Sequence, residues 1–145
     1  MFKHILIPTD GTDLSRKAVI YGAQLAKSVG ARITAISVSE PYHVASMDAV
    51  LVAETPEEHE SQTARTAERA LEQVRMAAEA AGVSAETLRE VSDQPYRAII
   101  DCANACGCDL VVMASHGRRG VAALLVGSET TKVLTHSTIP VLVYR

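Results

Sequence analysis

The segment Leu110-Val-Val-Met-Ala-Ser-His-Gly117, followed at G-x9-G-S spacing by Gly127-Ser128, constrains this chain more than any other. A short apolar run rich in β-branched residues stops abruptly at small and polar ones, the pattern of a buried strand emptying into a turn. A second glycine with a hydroxyl residue behind it fits the start of a helix. Glycine lets backbone N–H groups approach an anion closely, and a helix N-terminus adds positive partial charge. The pair of features therefore suits a phosphate chain.

The rest of the chain supplies the frame. Lys3 to Thr9 reads as a buried strand ended by Pro8 and Asp10-Gly11. A helix follows from Thr12 or Asp13, with Leu14, Ala18, Tyr21, Leu25 and Val29 as its apolar stripe and Gly30 as its stop. Ala31 to Val38 alternates as a second strand. Glu40 to about Glu60 shows no clear period, although Pro41 and Pro56 bracket an apolar piece, Met47 to Ala53. Long connections of that kind are often functional. Ala64, Ala67, Leu71, Val74, Ala78 and Ala81 then form a helical stripe ending at Gly82. Thr87 to Val91 gives a third strand, and Pro95 opens a helix to Ala105 with Gly107 after it. Leu110 to Ala114 is the fourth strand, Glu129 to His136 a helix and Ile139 to Tyr144 a fifth strand. Strict alternation of strands and helices predicts an α/β domain: a parallel sheet covered on both faces and joined by right-handed crossovers.

At 145 residues the chain fits one domain, 1–145, large enough to bury a core. A net charge of −3 argues against a nucleic-acid surface. No apolar run approaches the roughly 20 residues of a membrane span, and the opening segment does not resemble a signal peptide. A cytoplasmic address without membrane contact is expected. Cys102, Cys106 and Cys108 match neither a disulfide framework nor a zinc site. Their spacing reads as packing with reduced thiols, a redox role being the alternative.

In open parallel sheets, ligands bind beyond the carboxyl ends of the strands, where strand order reverses. If the first and fourth strands are neighbours, Ile7-Pro-Thr-Asp-Gly11 and Met113-Ala-Ser-His-Gly117 meet there. Asp10 then accepts ribose hydroxyls or holds a metal, the second turn offers amides to phosphates, and Ser128 offers a hydroxyl and an N–H. Adenine fits against Val38 and Met113. The candidate binding set comprises Pro8, Thr9 and Asp10, then Val38, then Met113, Ala114, Ser115, His116, Gly117 and Arg118, then Gly127, Ser128, Glu129 and Thr130. Each piece has a plainer reading. Asp-Gly is a common turn former, Gly127-Ser128 can simply open a helix, and His116 suits a solvent-facing turn better than a catalytic base. No catalytic residue and no protein metal ligand is assigned.

Taken together, Ile5-Leu-Ile-Pro-Thr-Asp10, the Asp109 to Arg118 block, Gly127-Ser128 and Ile139-Pro-Val-Leu-Val143 resemble the universal stress protein family (UspA-like) over nearly the whole chain. The resemblance implies a five-stranded parallel sheet in order 3-2-1-4-5, a Rossmann-like fold of the adenine nucleotide α hydrolase type. The motif G-x2-G-x9-G-[ST] of the family's ATP-binding branch looks similar here. It implies ATP as ligand, with Mg²⁺ held through the phosphates. By position, Asp10 would meet ribose, Val38 the adenine, and Gly117, Gly127 and Ser128 the phosphates. The resemblance also implies a homodimer through Ile139 to Tyr144 and an unidentified protein partner. Ala114 replaces the motif's first glycine, and its methyl group either is tolerated or holds the backbone off the phosphates.

Three functions stay open on sequence: an ATP-binding stress-response regulator, a slow ATP hydrolase or phosphotransferase, and a stress-response dimer acting by protein contacts without nucleotide. The P-loop motif G-x4-G-K-[ST] is missing, as is the paired-histidine turn H-x-G-H of adenylyl transferases, which disfavours the enzyme. The lack of G-x-G-x-x-G after the first strand disfavours a dinucleotide.

Overall fold

The computed structural model describes residues 1–43, 54–117 and 125–145. Its central strands are β1 (His4–Pro8) and β4 (Leu110–Ala114), every residue of which is buried. They lack alternation because both faces are covered. Ile5, Ile7, Leu110 and Val112 face one apolar layer, while Leu6, Val111 and Met113 face the other. Helix α1 (Asp13–Val29) and helix α2 (Pro56–Ala81) close the first layer; α3 (Pro95–Cys106) and α4 (Ser128–His136) close the second. With β2 (Arg32–Ser39), β3 (Ala85–Val91) and β5 (Val141–Tyr144), the sheet is wholly parallel in order β3-β2-β1-β4-β5. That is the predicted fold.

Several boundaries and faces differ from expectation. The buried side of α1 is Ser15, Ala18, Val19, Gly22, Ala23 and Ala26, rotated from the bulky stripe expected. Small residues let the helix lie close to the sheet: a Cβ at Gly22 would stand 2.6 Å from Ile7 Cδ1. Tyr21 instead stays 40% exposed, its ring 5.5 Å from that of Tyr144. Helix α2 starts eight residues before Ala64, because Thr55 and Glu58 form a reciprocal capping box and Pro56 opens the first turn. Its first turns bury nothing large, so apolar periodicity could not reveal them. Strand β5 starts at Val141 rather than Ile139: Pro140 has no N–H for the ladder, though its carbonyl accepts from Val111 N at 2.9 Å. The expected Met47 to Ala53 piece and the candidate Arg118 lie outside the described residues. Among the described residues no helix is long and apolar enough to cross a membrane.

One irregularity positions the site. The β1–β2 ladder runs to Pro8–Ile36 and the β4–β5 ladder to Ala114–Tyr144. The β1–β4 ladder stops at Leu6–Val111. Pro8 contributes no N–H toward β4, and Thr9 N bonds Ile36 O on the β2 side at 2.9 Å. A crevice therefore opens between β1 and β4 at their carboxyl ends, where strand order reverses.

Candidate functional site

The reversal after β1 is organised by its own side chains. Asp10 Oδ1 accepts from Thr12 N at 3.0 Å and from Thr12 Oγ1 at 2.7 Å, an Asx turn that fixes the carboxylate. Gly11 supplies the positive φ of 81° that the turn requires. Thr9 is buried, and its hydroxyl accepts from Ser15 Oγ at 3.0 Å. Thr12 also caps α1 by accepting from Ser15 N.

The reversal after β4 folds onto α4. Ser115 N donates to Tyr144 O at 2.8 Å, and Gly127 N donates to Ser115 O at 2.7 Å. Thr130 Oγ1 donates to Ala114 O at 3.0 Å. Gly127 is the N-cap of α4 and, having no side chain, makes no side-chain capping bond to the first-turn amides at Ser128, Glu129 and Thr130. The glycines here are required for room rather than for a special φ. A Cβ at Gly127 would lie 3.2 Å from the Cα of His116, and one at Gly117 would overlap Asp10 Oδ2. The two reversals thus touch across the crevice.

That contact closes one wall of a cleft of about 440 Å³. Of the residues singled out in the sequence, Pro8, Thr9, Asp10, Val38, Met113, Ala114, His116, Gly117, Gly127, Ser128, Glu129 and Thr130 line it. Ser115 does not: it is buried, with its hydroxyl 3.2 Å from His116 Nδ1. Glu129 reaches the rim but spends Oε2 on Tyr96 N at 2.9 Å, capping α3. Ala114 is the last residue of β4 and, like every described non-glycine residue, avoids positive φ. Its position therefore demands no glycine conformation; only the methyl's bulk is at issue.

Sequence reasoning missed the opposite wall. His59, Thr63, Thr66 and Ala67 of α2 line the cleft, together with Ser37, Ser39 and Glu40 after Ile36. Their i, i+4, i+7, i+8 spacing marks one helix face, and the capping box Thr55-x-x-Glu58 was the signal that could have extended the helix to them. His59 ties this wall together: Nδ1 lies 3.0 Å from Glu54 Oε2 and Nε2 lies 2.9 Å from Glu40 O. The Glu40 carbonyl first, then the Glu54 carboxylate, raise the imidazole above its ordinary pKa. Arg89 braces the same wall from β3, reaching Glu60 at 2.7 Å, Ser39 Oγ at 3.0 Å and Thr63 Oγ1 at 3.1 Å. A second groove, of about 520 Å³, is lined among the described residues by α2 alone, from Glu57 to Arg69.

Chemically, the cleft joins a carboxylate, a helix N-terminus and an apolar slot formed by Val38, Ile36, Ile99 and Met113. Among the described residues no three His, Cys, Asp or Glu side chains converge on a metal position. The sequence profile of the universal stress protein family matches residues 1–145. Universal stress protein YxiE of Bacillus subtilis is 30% identical over 149 residues, covering all of both chains. Universal stress protein UspA from Lactobacillus plantarum superposes with a TM-score of 0.82 at 25% identity, over 99% of this chain and 97% of that one. A universal stress protein solved in complex with cAMP superposes with a TM-score of 0.73 at 25% identity, over 99% and 97% of the two chains.

Proposed function

The chain belongs to the universal stress protein family, and from that premise we propose that it is a regulatory protein that binds ATP between the ends of β1 and β4. The observation that carries the reading is the meeting of Asp10 with Gly117: a carboxylate stands against a turn that is bonded, through Ser115 O and Gly127 N, to the N-terminus of α4. In this reading the adenine lies in the slot between Val38 and Met113, and the Asp10 carboxylate accepts from ribose hydroxyls. The amide of Gly117 and the first turn of α4, with the Ser128 hydroxyl, hold the phosphates. In the same reading Mg²⁺ would be held through the phosphate oxygens. A relative captured with cAMP supports an adenine nucleotide as the ligand class.

The same reading pairs two copies through β5. That strand is a sheet edge, half-buried along its length, with Tyr144 flanked by the exposed Tyr21 ring. Edges of this kind invite a second chain. The same reading keeps the cytoplasmic address expected from the sequence, and the three free cysteines support it. Calorimetric titration with ATP and Mg²⁺ tests the proposal. Binding heat and thermal stabilisation without phosphate release are the expected result. No heat and no stabilisation at millimolar nucleotide overturn it, and phosphate release at a steady rate makes the protein a hydrolase instead.

A further inference from the structure

The second apolar layer contains a feature that the nucleotide cleft does not use. Cys102, Cys106 and Cys108 all belong to it, at the end of α3 remote from Pro95 and the cleft. Cys102 and Cys106 sit one helical turn apart with their Sγ atoms 3.9 Å from each other. Cys102 and Cys108 are buried, while Cys106 is partly exposed. We propose that Cys102 and Cys106 form a reversible redox site, oxidised by hydroperoxides to a disulfide within the last turn of α3.

The chemistry balances in two steps. The Cys106 sulfur, which solvent can reach, attacks the peroxide oxygen; the O–O bond breaks, leaving a sulfenic acid on Cys106 and releasing water or an alcohol. The Cys102 sulfur then attacks that sulfenic sulfur, its proton leaves with the hydroxyl as water, and the S–S bond forms. Two thiols lose two electrons and the peroxide gains them. Burial pushes the Cys102 thiol up to about 12 and the Cys108 thiol up to about 11, with neighbouring Cys106 adding to both. Both therefore stay protonated at neutral pH, which leaves Cys106 as first target and makes the second step the slower one.

Geometry decides both the partner and the reversibility. The Sγ pair in contact is Cys102–Cys106, whereas Cys108 lies beyond the left-handed Gly107 cap, its backbone N–H bonded to Ala103 O at 2.8 Å. Cβ atoms one helical turn apart stand about 5–6 Å from each other. A disulfide wants about 3.5–4.5 Å. The last turn of α3 must therefore tighten, and it is the turn best able to, since Asn104 and Ala105 are exposed. A bond closed under strain is easily reduced.

The test exposes the reduced, folded protein to hydrogen peroxide, then measures intact mass and thiols after quenching in denaturant. Expected are a loss of two hydrogens, a fall from three thiols to one, and full recovery with dithiothreitol. Cys108→Ser should still lose two hydrogens. Cys102→Ser should lose none and instead gain oxygen on Cys106. Wild-type protein that gains oxygen without losing hydrogens overturns the proposal. So does a two-hydrogen loss that survives Cys102→Ser, which would pair Cys106 with Cys108, and so does cross-linking between chains.

Discussion

The two ends of the β1–β4 pair are built on opposite principles. At the amino end the chain seals itself: Asp109 accepts from Lys3 N at 2.8 Å and His4 N at 3.0 Å, and its own N–H donates to His4 O at 2.9 Å. Burial opposes the Asp109 charge, yet the amides of His4 and Lys3 outweigh it and hold the carboxyl below its ordinary pKa. His4 is buried and bonds Thr34 Oγ1 at 2.7 Å through Nε2. At the carboxyl end the ladder stops early, Asp10 faces the crevice and α4 starts without a side-chain cap. One end is closed by a carboxylate bonded across the two strands, while the other opens into a cleft beside the first turn of α4. Stability should therefore live at the amino end and ligand affinity at the carboxyl end.

Substitutions can break that division. The largest effect belongs to Gly117→Val, whose side chain would displace Asp10: ATP affinity should fall roughly a hundredfold, about 2.7 kcal/mol, with little change in melting temperature. Unchanged affinity in titration calorimetry would separate the glycine from the ligand. Asp109→Ala is the converse. It should cost about 1–2 kcal/mol of unfolding free energy in urea, discounted for partial exposure, and leave ATP affinity alone. A parallel loss of affinity would mean the ends are coupled. Ser128→Ala should weaken ATP about fivefold, about 1 kcal/mol, if the hydroxyl bonds phosphate.

The smallest effects are those of pH, and they carry opposite signs at the two ends. Burial first, then Arg32, lower the His4 pKa. Its contribution is complete above the unfolded value near 6.5 and is lost as pH falls through the lowered folded value. The raised pKa of His59 does the reverse: its contribution is complete below 6.5 and is lost as pH rises through the folded value. Urea titrations across that range should show His4→Gln flattening the acid limb and His59→Gln the neutral one. A swap of these limbs would contradict the local environments assigned to them.

What could be read from sequence follows the same physics. Both central strands were legible because burial on two faces leaves an uninterrupted apolar run, and Gly30, Gly82 and Gly107 marked helix ends as left-handed caps. The Asp10, Gly117 and Gly127-Ser128 constellation was legible because close approach leaves glycine in the chain. The first turns of α2 were not, since His59 and Thr63 are polar residues held by tertiary partners that periodicity cannot see. The rotated face of α1 was missed for a related reason: helix-to-sheet contact selected Ala and Gly over the larger side chains nearby.

The division between the two ends is tested most directly by amide chemical-shift mapping during titration with ATP and Mg²⁺. The largest shifts are predicted at Asp10, Gly11, Val38, Gly117 and Ser128, with Lys3, His4 and Asp109 unmoved. Shifts centred on Asp109, or none at millimolar nucleotide, would contradict it.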